Sequence, residues 1–187
     1  MMSRNIIIIG SEYRSCGTWV YNLIRLALIK KCGELNVYGC YYFDYDMNNI
    51  AKWHIIKSHQ FDEKLVNDKT FVIVTKRNVD TMIISFNRML NLSCSLEELR
   101  LLNIGSTHWD KICNFRGDFE DIMALNGKLK FSNNIFSEIS VFFNEVIELN
   151  QLELEKTLQD VEGLEIPNHD NPNYYDPITL LHPKHKQ

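Results

Sequence analysis

The chain has few of the features that mark secreted, zinc-binding or membrane-spanning proteins. Its five cysteines include no C-x-x-C pair, which argues against a disulfide framework or a zinc site and favours a reducing compartment. The apolar run at residues 6–9 is too short for a signal peptide, and Arg25 interrupts the later one. These absences predict a cytoplasmic protein without a membrane span.

The sequence also lacks a strong excess of charge of one sign and any sign of a division into several domains. The net charge of −4 gives no reason to expect a nucleic acid as the main partner. With four prolines and eight glycines in 187 residues, the chain has no linker rich enough to divide it, and it shows no repeat or low-complexity segment. We therefore expect one soluble domain over residues 1–187, long enough to bury a core.

What the chain does contain is an alternation of short apolar runs and helical patterns. The β-branched run at residues 5–9 is typical of a strand buried on both faces of a parallel sheet. From Gly17 to about Lys31, apolar side chains recur at helical spacing. Further strands are predicted at 53–57, 70–75 and 128–132, and further helices at 79–90, 96–102, 107–125 and from Phe136 to Val146. This order predicts an α/β fold with a mostly parallel central sheet between helical layers.

The loop "GSEYRSCGTW" at residues 10–19 is the first of three polar clusters at predicted strand ends. In such a sheet ligands bind beyond the carboxyl ends of the strands, and a helix N-terminus favours an anion. Arg14 adds a positive charge and Thr18 a hydroxyl, but the lysine of an ATP-binding loop is missing. A plain strand-to-helix turn, capped by Ser15 and with Arg14 in solvent, fits the same residues.

The other two clusters follow the strands at 53–57 and 70–75. In "KSH", Lys57 and His59 fall on one side of the extended backbone, and a neutral histidine can accept a proton from an alcohol. In "RNVDTMIIS", Arg77 can bind phosphate oxygens in a bidentate way, and Ser85 can add a hydroxyl. Taken singly, these residues also fit surface charges, caps and ordinary helix positions.

Together the clusters resemble the motifs of sulfotransferases that use 3′-phosphoadenosine 5′-phosphosulfate (PAPS). The family pattern K/R-S-G-T-T-W is similar to "RSCGTW" at 14–19, K-T-H is similar to "KSH" at 57–59, and R-x-P-x-D with a later serine is similar to "RNVDTMIIS" at 77–85. Their order and strand context agree over about residues 5–90. The departures are Cys16-Gly17 in place of Gly-Thr, Val79 in place of proline, the acidic residue shifted to Asp80, and no late glycine-rich motif.

The resemblance implies a P-loop NTPase-like sulfotransferase architecture, a three-layer α/β sandwich. It implies an enzyme that needs no metal and moves a sulfuryl group from PAPS to a hydroxyl or amine, leaving 3′,5′-bisphosphoadenosine (PAP). His59 would take the acceptor's proton, and Lys57 or Arg14 would stabilise the leaving oxygen. The implied nucleotide ligands are Arg14, Ser15, Cys16, Gly17, Thr18 and Trp19 around the 5′-phosphosulfate and adenine, with Arg77 and Ser85 at the 3′-phosphate.

Two rival interpretations stay open. A P-loop kinase is opposed by the missing Gly-Lys-[Ser/Thr] and by Thr75-Lys76-Arg77 where a Mg²⁺-binding aspartate is expected. A catalytically silent nucleotide-binding module is compatible with the altered Cys16-Gly17 pair.

The acceptor and the oligomeric state cannot be predicted from these motifs. A small molecule, a lipid and a carbohydrate are all compatible acceptors. Residues 91–187 are expected to carry the acceptor side, and the aromatic groups at 38–45 and 173–177 fit either an acceptor pocket or core and turn positions. The tail "HPKHK", with Lys184 and His185, fits either a phosphate contact or a disordered terminus.

Overall fold

The computed structural model describes residues 4–90, 93–171 and 174–183. Within these ranges one parallel sheet has the strand order β2-β3-β1-β4-β5. Its strands are β1 Asn5–Ile9, β2 Val37–Tyr41, β3 Trp53–Lys57, β4 Thr70–Lys76 and β5 Phe115–Asp118. The helices are α1 Gly17–Cys32, α2 Val79–Leu90, α3 Leu96–Leu102, α4 Ile104–Lys111, α5 Phe119–Met123, α6 Gly127–Phe143 and α7 Gln151–Glu162.

Helices cover both faces of the sheet, so the predicted three-layer α/β architecture is confirmed. On β1, Ile7 and Ile9 belong to a core shared with α1, α6 and α7. Ile6 and Ile8 point the other way and pack in a second core that includes Trp109 of α4. Side chains on both faces of β1 are buried because it lies between two strands and two helical layers, which explains its unbroken β-branched sequence.

Most predicted elements of the first hundred residues are observed. The strands at 5–9 and 53–57 and the helices at 79–90 and 96–102 have the predicted bounds. The helix from Gly17 continues to Cys32, and the strand from Thr70 continues to Lys76. The edge strand β2 was not predicted because only Cys40 of its five residues is buried, which leaves no apolar pattern to detect.

Two predictions in the second half are wrong. The predicted helix at 107–125 is interrupted by β5, because Asn114 fixes the chain to β4 with hydrogen bonds in both directions to Val72. The predicted strand at 128–132 is the start of α6, whose buried residues Phe131, Ile135 and Ile139 keep helical spacing. α6 ends at Phe143, before Val146, with Asn144 in the left-handed conformation.

Across the described ranges, none of the helices has the length and apolar character that a bilayer crossing requires. Lys184 and His185 of the tail lie outside the described residues.

Candidate functional site

The carboxyl ends of β1, β3 and β4 bring the three polar clusters to one cavity of about 620 Å³, called here the main cavity. Eight predicted site residues line it: Arg14, Cys16, Gly17, Thr18, Trp19, Lys57, His59 and Arg77. Ser85 is linked to the cavity through a hydrogen bond from Arg14 Nε, 3.0 Å away. Ser15 lies behind the loop and is fully buried. The sheet topology thus assembles predicted site residues that are up to 71 positions apart in sequence.

The loop enters α1 through left-handed backbone conformations at two residues that are not glycine. Cys16, immediately before α1, has φ 65°, and Arg14 has φ 60°. Such φ values favour glycine, and the family pattern has glycine at the position of Cys16. Burial raises the pKa of the Cys16 thiol to about 12, so the thiol stays protonated.

We expect Cys16→Gly to raise the free energy of unfolding by about 1 kcal/mol, because glycine removes the strain of the left-handed backbone. Urea denaturation measures the change. The matched control is Cys113→Gly, since Cys113 is also half-buried but has no positive φ. That control should lose stability, and a loss in both variants would contradict the assigned strain.

Gly17 is required by a close contact with Ser11. A Cβ atom at Gly17 would lie 2.8 Å from Ser11 Cβ and 3.2 Å from Ser11 Oγ. Ser11 is fixed there because its Oγ accepts hydrogen bonds from the Thr75 backbone N–H and hydroxyl. The threonine that the family pattern has at position 17 therefore does not fit this loop.

The interpretation of Ser15 as a helix cap is wrong. Its hydroxyl donates to the Glu12 carbonyl at 2.7 Å and lies 3.0 Å from Thr75 Oγ1, and no side chain caps α1. The hydroxyl is therefore turned into the core, away from the main cavity.

His59 is oriented by a backbone carbonyl. The distance from His59 Nδ1 to the Ser11 oxygen is 2.7 Å, and because a carbonyl only accepts, Nδ1 is the protonated nitrogen. Nε2 then carries the lone pair, and no hydrogen bond occupies it in the described parts of the chain. Burial and the nearby Lys57 lower the pKa of His59 to about 3, so the imidazole is neutral in the free protein.

Three cationic side chains, Arg14, Lys57 and Arg77, line the same cavity as this histidine. Burial and the charge of Arg14 lower the pKa of Lys57 to about 8. Its ammonium lies 5.5 Å from the centre of the Tyr41 ring. Considering only residues that the structure describes, no carboxylate forms an ion pair with Arg14, Lys57 or Arg77. The lining also contains the carboxyl group of Glu12, whose Oε2 accepts from the Arg77 backbone N–H at 3.3 Å. Three cations against one carboxyl group leave an excess of positive charge, which is suited to an anionic ligand.

Arg14 and Arg77 connect the two predicted phosphate subsites. Arg77 donates from Nη1 to the Arg14 carbonyl and from Nε to Thr81 Oγ1, both at 3.1 Å, and its guanidinium stacks 4.1 Å from the Phe119 ring centre. Arg14, predicted at the 5′-phosphosulfate, instead has its guanidinium against Ser85 and Met89. In this structure its side chain therefore lies with the residues predicted for the 3′-phosphate.

The three sequence motifs do not include the opposite wall of the main cavity, although the tail "HPKHK" begins at His182, which lines it. Leu180, Leu181 and His182 line it, within the described segment 174–183, called here the C-terminal segment. Asn22 Nδ2 of α1 donates to the Thr179 carbonyl at 2.6 Å, and Tyr21 donates its hydroxyl to the Ile178 carbonyl at 3.0 Å. These are side-chain to backbone bonds, so the identities of the residues in the segment carried little signal.

Two aromatic residues flagged in the sequence do line the cavity. Tyr41 and Tyr175 have ring centres 5.9 Å apart, and Tyr175 donates its hydroxyl to Asp44 Oδ2 at 2.6 Å. Trp19 also lines the cavity, and its buried indole N–H has no hydrogen-bond partner among the described residues.

The chain has the fold of the PAPS-dependent sulfotransferases. The mouse sulfotransferase SULT7A1 complexed with PAP superposes with a TM-score of 0.58 at 13% identity, over 93% of this chain and 69% of that chain. Retinol dehydratase in complex with androsterone and inactive cofactor PAP has a TM-score of 0.51 at 13% sequence identity. Its complex with retinol and PAP has a TM-score of 0.50 at 14% sequence identity. Each retinol dehydratase match covers 86% of this chain and 65% of the other, so the chain spans about two thirds of their length. No family model and no curated protein matches the sequence.

Proposed function

We propose that the protein transfers a sulfuryl group from PAPS to the hydroxyl of an acceptor molecule. The observation that carries the proposal is that the side chains of Lys57, Arg14 and Arg77 line one cavity with a neutral His59 and form no ion pair within the described chain. The structural neighbours support it, because all three were crystallised with PAP.

The residues present fit a nucleotide with phosphates at both ends. Lys57 and the N-terminus of α1 would hold the 5′-phosphosulfate, while Arg77 and Ser85 would hold the 3′-phosphate. Arg14 would join the 3′-phosphate group, because its guanidinium lies against Ser85. Trp19, which lines the cavity, would offer its indole to the adenine.

In this transfer the protein would position the two reactants and stabilise the charge that develops between them. When bound, PAPS supplies a sulfuryl group, which passes to the acceptor oxygen as the sulfur–oxygen bond to the 5′-phosphate breaks. Nε2 of His59 accepts the proton that the acceptor hydroxyl loses. Lys57 stabilises the negative charge that remains on the 5′-phosphate oxygen. Negative charge in the cavity raises the pKa of both residues above the values of the free protein.

A nucleotide-binding module without transfer is a second candidate. It is favoured by the loop, in which Cys16 has taken the position of glycine and the Ser15 hydroxyl faces the core. This candidate predicts PAP binding without sulfate transfer to any acceptor.

The test of the cofactor class is a thermal-shift comparison of PAP, its 2′,5′-bisphosphate isomer, ADP and ATP. At a hundredfold excess over its dissociation constant, PAP should add about 2.7 kcal/mol, or about 5 to 10 °C for a chain of this size. The isomer carries the same charge and should stabilise less, since Arg77 and Ser85 are proposed to bind a 3′-phosphate. Greater stabilisation by ATP with Mg²⁺ would contradict the proposal and support a kinase. Transfer of labelled sulfate from PAPS then separates the enzyme from the silent module.

A further inference from the structure

Three hydroxyl side chains are buried behind the loop at residues 10–19. Ser11 and Ser15 belong to the loop, and Thr75 lies near the carboxyl end of β4; their exposed fractions are 1%, 0% and 0%. The lining of the main cavity, as far as the chain is described, includes none of the three. Their effect on a bound ligand therefore passes through the residues that they hold in place.

The Thr75 hydroxyl lies between the two loop serines. Thr75 Oγ1 donates to Ser11 Oγ at 2.7 Å and lies 3.0 Å from Ser15 Oγ. The Thr75 backbone N–H also donates to Ser11 Oγ, at 3.2 Å, and the Thr75 carbonyl accepts from the Glu12 backbone N–H, at 3.2 Å. Through this one side chain, β4 contacts both the start of the loop and its last residues before α1.

Ser11 connects this hydroxyl group to the nucleotide loop and to the proposed proton acceptor. A Cβ atom at Gly17 would lie 2.8 Å from Ser11 Cβ, so the first turn of α1 packs directly on Ser11. The Ser11 carbonyl accepts from His59 Nδ1 at 2.7 Å and from Ser106 Oγ at 2.8 Å. A displacement of Ser11 is therefore transmitted to the helix N-terminus and to the imidazole ring together.

The Thr75 hydroxyl is sensitive to replacement by an apolar group of the same shape. Two oxygen atoms joined by a hydrogen bond approach to 2.7 Å, whereas a methyl group at the same place needs a larger separation from Ser11 Oγ. The buried serine hydroxyls would also lose a polar neighbour, which leaves a desolvated group without its partner. Valine at this position should therefore displace Ser11 and Ser15.

We propose that Thr75 is a positioning residue whose hydroxyl holds the nucleotide loop and His59 in one fixed arrangement. The inference rests on the proposed sulfotransferase function and adds to it a residue outside the lining of the main cavity. Transfer requires a fixed geometry between the group that the loop binds and the nitrogen that accepts the proton. Ser11 is common to both, and Thr75 fixes its side chain.

The first test measures the affinity for PAP by calorimetry. Thr75→Val should weaken PAP binding at least about tenfold, because the loop loses two polar contacts. Thr75→Ser keeps the hydroxyl and should bind PAP within about threefold of the wild type.

The matched control for the binding test is Thr70→Val, near the other end of β4. Thr70 is 5% exposed, and its hydroxyl donates to the Leu65 carbonyl at 2.7 Å, so the same bond length is lost at an equally buried position. This variant should lose stability in urea denaturation, as Thr75→Val does, but its affinity for PAP should stay within about twofold of the wild type.

The second test needs no nucleotide. Nitrogen-15 NMR shows which ring nitrogen of His59 carries the proton, and in the wild type this should be Nδ1. In Thr75→Val the displaced Ser11 carbonyl holds that proton less firmly, so the signals should move toward those of a mixture of the two tautomers. Thr75→Ser and Thr70→Val should keep the wild-type signals. Ser11→Ala removes the same bond from the loop side and should reproduce the change, even where Thr75→Val fails to fold.

Wild-type affinity for PAP or unchanged His59 signals in the folded Thr75→Val and Ser11→Ala variants would overturn the inference. Equal losses of affinity in Thr75→Val and Thr70→Val would do the same, as would a serine variant that behaves like the valine variant. Failure of the wild type to bind PAP would instead overturn the proposed function. The NMR comparison would then still decide whether Thr75 positions His59.

Discussion

The variant His59→Ala should lose turnover by about 100- to 10,000-fold while its affinity for PAP stays within about threefold of the wild type. The range is the usual contribution of a positioned general base. His59 is suited to that task because its Nδ1–H is bonded to the Ser11 carbonyl and its Nε2 is available. Turnover is measured as labelled sulfate moved from PAPS to an alcohol acceptor, and affinity by calorimetry with PAP.

A distant histidine provides the control for that result. His169 is exposed and stacks on Tyr174, outside the lining of the main cavity, so His169→Ala should behave as the wild type. His59→Gln keeps a polar side chain of similar size, so it tests the role of His59 even where the alanine variant fails to fold. Turnover like the wild type in a folded His59 variant would remove this residue from the mechanism.

The variant Arg77→Ala should weaken PAP binding about 10- to 100-fold and weaken the 3′-hydroxyl analogue less than about threefold. The larger loss corresponds to about 1.5–3 kcal/mol, the usual contribution of hydrogen bonds to a charged group. Arg77 is expected to make them because its guanidinium lies on the Phe119 ring at the cavity edge, next to the Arg14–Ser85 pair. Calorimetric titration with each nucleotide gives the two ratios.

An arginine outside the main cavity separates specific contact from overall charge. Arg116 pairs with Asp110 and does not line the main cavity, so Arg116→Ala removes one positive charge without touching the site. It should weaken both nucleotides equally and by less than about twofold. Equal losses for the two nucleotides in Arg77→Ala would refute the 3′-phosphate role.

The strands β1 and β3 were predictable from the sequence because their apolar pattern is strong. β1 and β3 are apolar runs that are covered on both sides, and each ends in a polar motif. Since parallel strands present their carboxyl ends at one edge, Lys57 and His59 could be expected near the loop at residues 10–19. The structure does bring them to one cavity, although the chemical role of each residue stays a prediction.

Long-range contacts account for what the sequence did not indicate. The stacking of Tyr13 on His59 joins a loop residue to a strand end 46 positions away, and no local pattern encodes it. The inward hydroxyl of Ser15 depends on Thr75 from β4, and the left-handed Cys16 contradicts the usual preference for glycine. β5 forms because Asn114 bonds to Val72, although its own four residues include a glycine and an aspartate.

The C-terminal segment has a consequence for the order of folding. Its bonds from Tyr21 and Asn22 span 157 residues, whereas the loop and strand ends opposite it join over much shorter separations. Closing so long a loop costs conformational entropy before the contacts that offset this cost can form. Contacts of large sequence separation therefore form slowly. We therefore expect the sheet edge that carries the cations to assemble before the C-terminal segment covers it. A refolding chain should then acquire its secondary structure before the main cavity is enclosed.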